Sequence, residues 1–113
     1  MAMMVNLTRL PQVLRMILTR RPARWPKWVD YAPQPKPAVR ISGASLRVTY
    51  INHATVLIQT QGLNVLTDPM FSERASPFSW LGPKRVRAPG IPFDQLPRID
   101  VVLISHNHYD HMD

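Results

Sequence analysis

A mostly apolar run, residues 99–104, leads directly into a loop rich in metal-binding side chains. The run is dominated by valine, leucine and isoleucine on both faces, which is typical of a strand inside a sheet. Side chains at the carboxyl end of such a strand lie where α/β proteins commonly bind ligands. The potential ligands are His106, His108, Asp110 and His111. The pattern therefore predicts a metal site at one edge of a sheet.

The spacing of these side chains predicts a site for two metal ions. His106 and His108 are two residues apart, so in an extended segment they face the same side and can chelate one ion. Asp110 and His111 lie at the following turn and can reach a neighbouring ion. Imidazole and carboxylate suit zinc, and two ions about 3.5–4 Å apart can share a hydroxide of lowered pKa. The alternative interpretation is a polar loop with three solvated histidines.

The composition fits one small globular domain or a piece of a larger one, with 113 residues and 45% apolar content. Cysteine is absent, which excludes disulfides and thiolate metal sites. The formal charge of +7 comes from residues 1–40, whereas basic and acidic residues balance in 41–113. We therefore expect no nucleic-acid partner, because the high pI describes the N-terminal segment alone.

Residues 1–44 are expected to form a basic leader and connector. Apolar residues at helical spacing predict a helix over 12–19, with Pro11 ending any regular helix before it. No apolar run reaches the roughly 20 residues that span a bilayer, and a signal peptide is not expected. Residues 21–38 are rich in proline and predict an extended connector, in which Trp25 and Trp28 pack on the domain or, alternatively, anchor at a lipid interface.

The domain itself is expected to begin at residue 45. Alternating residues predict strands over 46–51, 55–60 and 63–67, with Gln61 and Gly62 as a tight turn, and hence an antiparallel meander. Residues 69–98 contain six prolines and predict a long irregular flap that its aromatic residues keep ordered.

The motifs resemble those of the metallo-β-lactamase superfamily. The pattern His106-x-His108-x-Asp110-His111 after an apolar strand is its signature. Further segments resemble the branch of N-acyl-phosphatidylethanolamine-hydrolysing phospholipase D and its relatives, the ascorbate-6-phosphate lactonase-like proteins. These segments, all within 45–113, are 52–58 (Asn-His-Ala-Thr-Val-Leu-Ile), 66–72 (Leu-Thr-Asp-Pro-Met-Phe-Ser), 74–77 (Arg-Ala-Ser-Pro), 82–85 (Gly-Pro-Lys-Arg), 96–97 (Leu-Pro) and 104–111 (Ile-Ser-His-Asn-His-Tyr-Asp-His).

The resemblance implies the N-terminal half of an αββα sandwich of the α/β (α+β) class, carrying a dinuclear zinc site. By motif position, His106 and His108 would bind the first zinc, and Asp110 and His111 the second. The family's later ligands have no counterpart here, so the chain is expected to be an N-terminal fragment truncated after the first metal motif.

Five residues outside the motif are also candidates for the site. His53 follows Asn52, which replaces the glycine of the family pattern, and it would hold a metal ligand in place, contact substrate or serve the structure. Asp68 would orient a ligand imidazole or cap a turn. Lys84 and Arg85, with the nearby Arg87, would contact a phosphate or remain solvated charges.

These features favour a zinc-dependent phosphodiesterase that acts through a metal-bridging hydroxide, which Asp110 helps to orient. A lactonase or another ester hydrolase is the alternative enzyme. A second alternative, which is not an enzyme, is an inactive fragment with partial metal binding. The substrate would be a small molecule or a phospholipid, and residues 1–28 could contact a membrane peripherally. We expect a cytoplasmic protein, associated with a membrane if that contact forms.

Overall fold

The computed structural model describes residues 10–21 and 24–113. An α-helix, α1 (Leu10–Thr19), is followed by an extended connector and then by four strands and one short 3₁₀ helix. The strands are β1 (Leu46–Asn52), β2 (Thr55–Thr60), β3 (Leu63–Thr67) and β4 (Val101–Leu103), and the 3₁₀ helix, Phe93–Gln95, precedes β4.

The four strands form one sheet in the order β1-β2-β3-β4. The first three pair antiparallel, with Val48 opposite Ile58 and Ile58 opposite Val65, which confirms the predicted meander. Gln61 and Gly62 connect β2 to β3 with φ angles of 48° and 77°. Positive φ at both central residues is what a two-residue hairpin turn with the right twist requires.

Strand β4 joins the sheet by pairing parallel with β3, with Leu66 opposite Val102. The predicted strand is therefore present, and among the described residues it lies at the end of the sheet order. Its residues are 40–53% exposed, because β4 is the last strand in the sheet order and pairs on one side only. The crossover of residues 68–100 brings the loop after β4 alongside the end of β3.

The apolar core is small and lies where the sheet meets the flap. Ile51, Leu57, Leu66 and Ile91 are almost fully buried and form one cluster. Phe71, Leu96 and Ile99 pack against this cluster from the flap. The flap is therefore ordered, as predicted, because it covers the core and supplies part of it.

Backbone hydrogen bonds lay the connector across the domain. Val29 N donates to Val86 O at 2.6 Å, and Gln34 N donates to Gly90 O at 2.7 Å. Trp25 and Trp28 are not buried on the domain as predicted, since they remain 75% and 52% exposed, although Trp25 lines a surface cavity together with residues of β1 and the flap. Backbone pairing of the connector with the flap fixes its path without their burial.

Helix α1 includes Pro11, so the prediction that the helix begins at residue 12 is wrong. Proline is tolerated in the first turn of a helix, where its missing N–H would have no intrahelical acceptor. The part of α1 that was predicted, up to Thr19, is confirmed. Among the described residues, no helix is long and apolar enough to cross a membrane.

Candidate metal centre

The loop after β4 folds back on itself and gathers its histidines. The backbone N–H groups of His111 and Met112 both donate to the carbonyl oxygen of His108, at 3.0 and 2.9 Å. This tight turn brings the ring of His106 within 4.0 Å of the His111 ring, centroid to centroid. Residues that are five positions apart thus become neighbours because the chain reverses between them.

The first potential ligand group consists of His106, His108 and Asp110. One ligand atom from each lies within 4.8 Å of the others, a spacing that a single ion can bridge. The rings of His106 and His108 stand edge to face, with centroids 4.6 Å apart. These two histidines therefore share one side of the loop, as their spacing predicts.

The second group consists of His53, Asp110 and His111, again with ligand atoms within 4.8 Å of one another. His53 Nε2 lies 3.0 Å and His111 Nε2 3.5 Å from the same oxygen, Asp110 Oδ2. Asp110 thus belongs to both groups, whereas the family resemblance places it in the second. The structure also gives the second group a third donor, His53.

Asp68 connects this centre to the end of β3. Its carboxylate accepts hydrogen bonds from the backbone N–H of Ser105 at 2.7 Å and from the Ser105 hydroxyl at 2.9 Å. Its Oδ2 also lies 3.1 Å from His111 Nδ1. The Ser105 N–H, followed by the His111 ring, holds the pKa of Asp68 below its ordinary value. Asp68 is therefore an anion placed to orient an imidazole.

These contacts determine which ring nitrogens are free. An ionised carboxylate only accepts, so His111 Nδ1 carries the proton that it shares with Asp68. The Ser105 hydroxyl donates to Asp68, so Ser105 Oγ accepts from His106 Nδ1, 2.9 Å away. With Nδ1 engaged in this way, Nε2 is the nitrogen that each of these rings would present to a metal ion. Metal-binding histidines are commonly held in this way by a partner on the other nitrogen.

Asp110 is also held as an anion. Desolvation raises its pKa, but its own backbone N–H and the neighbouring His53 and His111 outweigh that effect, so that the pKa lies below its ordinary value. A carboxylate that is ionised near neutral pH can bind a cation without first losing a proton.

His53 reaches the centre from the turn between β1 and β2. Its φ angle is 38°, so the residue of this turn with a left-handed backbone is His53 and not Asn52, the residue that replaces the family's glycine. Asn52 instead ends β1, and its side-chain amide donates to Met70 O at 3.1 Å. The turn therefore depends on the histidine backbone, while the asparagine ties the turn to the flap.

Lys84 and Arg85, two of the three residues predicted to contact phosphate, have protein partners. Lys84 Nζ lies 3.1 Å from Glu73 Oε2. The Arg85 guanidinium donates to the carbonyl oxygens of Met70 and Ser72, at 3.1 and 2.7 Å through Nη2. Burial lowers the pKa of Arg85 against the opposing influence of Asp113 and Glu73. Arg85 therefore builds the flap first, and any contact with an anion is additional to that role.

Sequence reasoning missed two residues of the centre. Ser105 bridges Asp68 to the histidines, and its position directly before the first histidine was the available signal. The carboxylate of Asp113 accepts from the backbone N–H of Phe71 at 2.6 Å and from that of Ser72. It therefore holds the start of the flap against the loop after β4. This is a long-range contact that no local pattern indicates.

The fold and the site together define an α+β protein with histidine and aspartate ligands clustered at the carboxyl end of a parallel strand. Residues 47–113 match the family model of the beta-lactamase superfamily domain. The chain belongs to that superfamily, and the predicted resemblance and the α+β class are confirmed.

Three relatives illustrate the similarity. The chain is 44% identical over 72 residues to N-acyl-phosphatidylethanolamine-hydrolyzing phospholipase D 1 of Caenorhabditis elegans, a match that covers 64% of this chain and 20% of the relative. It is 39% identical over 103 residues to an uncharacterized protein of Mycobacterium tuberculosis, covering 88% of this chain and 28% of the relative. It is 36% identical over 66 residues to a UPF0173 metal-dependent hydrolase of Anaeromyxobacter, a match that covers 58% of this chain and 20% of the relative. The chain therefore spans between a fifth and a third of the length of these curated relatives.

Proposed function

We propose that the protein to which this chain belongs is a zinc-dependent phosphodiesterase. The observation that carries the proposal is the sharing of Asp110 by two three-residue ligand groups, one with His106 and His108 and one with His53 and His111. Adjacent sites joined by one carboxylate are the arrangement that two-metal hydrolysis needs. The names of the relatives, a phospholipase D and a metal-dependent hydrolase, support the same reaction class.

The donor set fits zinc. Imidazole nitrogen and carboxylate oxygen are borderline ligands that suit this ion, and the protonated Nδ1 atoms of His106 and His111 leave Nε2 free to bind it. Bound zinc would polarise the oxygens of a phosphodiester and lower the pKa of a coordinated water. Asp110 would hold the attacking water in line, and Asp68 would keep His111 in the ligating orientation.

A lactonase or another ester hydrolase is the second candidate. The same ligand set polarises a carbonyl as well as a phosphoryl oxygen, so the metal centre alone does not separate the two reactions. The basic side chains beside the centre, Lys84, Arg85 and Arg87, favour an anionic substrate and hence the phosphodiester.

The test is hydrolysis of bis(4-nitrophenyl) phosphate, compared with an aryl ester and a homoserine lactone of similar size. Chelation should abolish turnover of the phosphodiester, and zinc should restore it. Asp110→Asn should lower kcat/KM at least about a hundredfold, since it disrupts both ligand groups. Asp94→Asn, on the 3₁₀ helix, provides a control carboxylate outside the centre and should leave the rate unchanged. Preferred turnover of the ester or the lactone would overturn the phosphodiesterase assignment.

We also propose a peripheral contact of the N-terminal region with a membrane surface. No residue of α1 is buried, and its apolar side chains, among them Leu14 and Ile17, are about half exposed. Arginines lie within or shortly after this helix in the sequence, at positions 15, 20, 21 and 24. An exposed apolar stripe with basic neighbours is typical of helices that lie at an anionic lipid interface.

A further inference from the structure

A cavity of about 290 Å³ opens directly beside the metal centre. It is lined by Trp25, Tyr50, Asn52, His53 and Met70 together with residues 84–87, and we call it the basic pocket. His53 belongs both to this wall and to the second ligand group. A molecule bound at the metal centre could therefore extend into the basic pocket past one shared side chain.

The basic pocket has an excess of positive charge. Lys84, Arg85 and Arg87 line it, and no acidic residue is among its lining residues in the described chain. Glu73 pairs with Lys84 from outside the pocket, and that ion pair is exposed, with 53% and 75% of the two side chains accessible. Exposed pairs of this kind are weak and exchange readily with another anion. The charges of Arg85 and Arg87 are left without a carboxylate within ion-pair distance among the described residues.

Contacts with two tyrosines fix the position of the Arg87 side chain. Its Nη2 donates to the Tyr50 hydroxyl at 2.6 Å, and its guanidinium carbon lies 5.1 and 5.3 Å from the ring centroids of Tyr31 and Tyr50. This is the one side-chain hydrogen bond of Arg87 within the described residues, so further N–H groups of its planar fork can donate elsewhere. Such a fork matches the oxygens of a phosphate in two parallel hydrogen bonds.

We propose that the basic pocket binds a phosphate group, with Arg87 as its principal donor and Lys84 as a second charge. Arg85 shapes the wall, because two flap carbonyls already occupy its Nε and Nη2 groups. The further claim that this phosphate belongs to the substrate of the metal centre rests on the proposed function. The ligand chemistry is shared by free phosphate and by the glycerophosphate part of a lipid headgroup.

Titration calorimetry on the protein stripped of metal by a chelator tests the pocket without the metal centre. Inorganic phosphate is one ligand and glycerol 3-phosphate is the other. Both should bind, and Arg87→Gln should weaken binding about tenfold or more, because it removes a charge-assisted pair of hydrogen bonds. Arg47→Gln, an exposed arginine on β1 outside the pocket, is the matched control and should leave the affinity unchanged. Tighter binding of glycerol 3-phosphate than of inorganic phosphate would assign the pocket to a lipid headgroup. Equal affinities for the two ligands would assign it to phosphate groups in general.

A second variant protects the test against misfolding. Lys84→Met removes an exposed charge that pairs with Glu73, and it should also weaken phosphate binding. Circular dichroism identifies any variant that does not fold. If Arg87→Gln does not fold, the phosphate affinity of Lys84→Met decides the test. Absence of phosphate binding, or affinities of both variants equal to that of Arg47→Gln, would overturn the proposal.

Two assays keep this inference separate from the proposed function. If the metal-free protein does not bind phosphate but the zinc-loaded protein hydrolyses bis(4-nitrophenyl) phosphate, the basic pocket is refuted and the phosphodiesterase stands. If phosphate binds to the metal-free protein and no phosphodiester is hydrolysed, the basic pocket stands and the proposed reaction is refuted.

Discussion

At the scale of single residues, Asp68 connects the sheet to the metal centre. It directly follows β3 and has a φ angle of 36°, a left-handed conformation that aspartate and asparagine tolerate better than most residues. Its carboxylate accepts a hydrogen bond from the backbone N–H of Ser105 and lies beside His111 Nδ1. The same residue therefore occupies the turn and contacts His111, so the two roles that the sequence offered as alternatives are compatible with each other.

Asp68→Asn should lower zinc affinity about 10- to 100-fold while the fold is retained. Asparagine keeps the size and the left-handed backbone, but it loses the negative charge that fixes the proton on His111 Nδ1. The measurement is competition for zinc against a chromophoric chelator. Asp94→Asn, which removes a carboxylate on the flap surface, is the control. An Asp68→Asn protein with the zinc affinity of the control would show that Asp68 serves the turn alone.

At the scale of elements, one ion pair binds the connector to the sheet. Arg40 Nη1 and Nη2 contact the two carboxylate oxygens of Asp100, directly before β4, and Arg40 also donates to Gly62 O at 2.7 Å. Asp100 in turn accepts the backbone N–H of Asn64 at 2.8 Å. The Arg40 side chain, followed by the Asn64 N–H, lowers the pKa of Asp100.

The stabilisation from Asp100 should depend on pH. Because its pKa is lower in the folded than in the unfolded protein, the contribution is complete above the unfolded value of about 3.9 and is lost as the pH falls through the folded value. Urea denaturation at pH 7 should therefore show Asp100→Asn to be less stable than the parent. The difference should narrow steadily below about pH 4. A difference that stays constant between pH 7 and pH 3 would contradict this assignment.

Helix α1 gives the second prediction at this scale. Vesicles rich in phosphatidylglycerol should sediment the protein, and vesicles of phosphatidylcholine should sediment less of it, because each basic residue near an anionic surface contributes about 1 kcal/mol. Leu14→Glu should reduce binding strongly by placing a charge in the apolar face. Gln12→Glu adds the same charge on the polar face of the helix and should reduce vesicle binding less. Equal loss in both variants would mean that charge alone, and not the apolar face, makes the contact.

At the scale of the whole molecule, local patterns predicted the meander because alternation and a two-residue turn determine it within 22 residues. They also predicted the candidate metal-binding residues of the loop, which lie within six residues of one another and which the structure brings together. They failed where distant segments meet. The exposure of β4 depends on its neighbours in the sheet, and the approach of His53 to Asp110 depends on a parallel crossover that joins residues 57 positions apart.

That approach leads to a prediction for the molecule as a whole. If His53 binds the same ion as Asp110 and His111, zinc ties the β1–β2 turn to the loop after β4 and should stabilise the folded state. Free zinc at 100 times its Kd should add about 2.7 kcal/mol to the free energy of unfolding, and a chelator should remove it. His53→Asn, which removes the imidazole but tolerates the positive φ of this position, should lose part of this gain. The metal-free stabilities of the parent and the variant should stay close, since the His53 side chain is 54% exposed. Thermal melts with zinc and with chelator measure both quantities, and a zinc-induced shift in Tm that His53→Asn leaves intact would place His53 outside the ligand set.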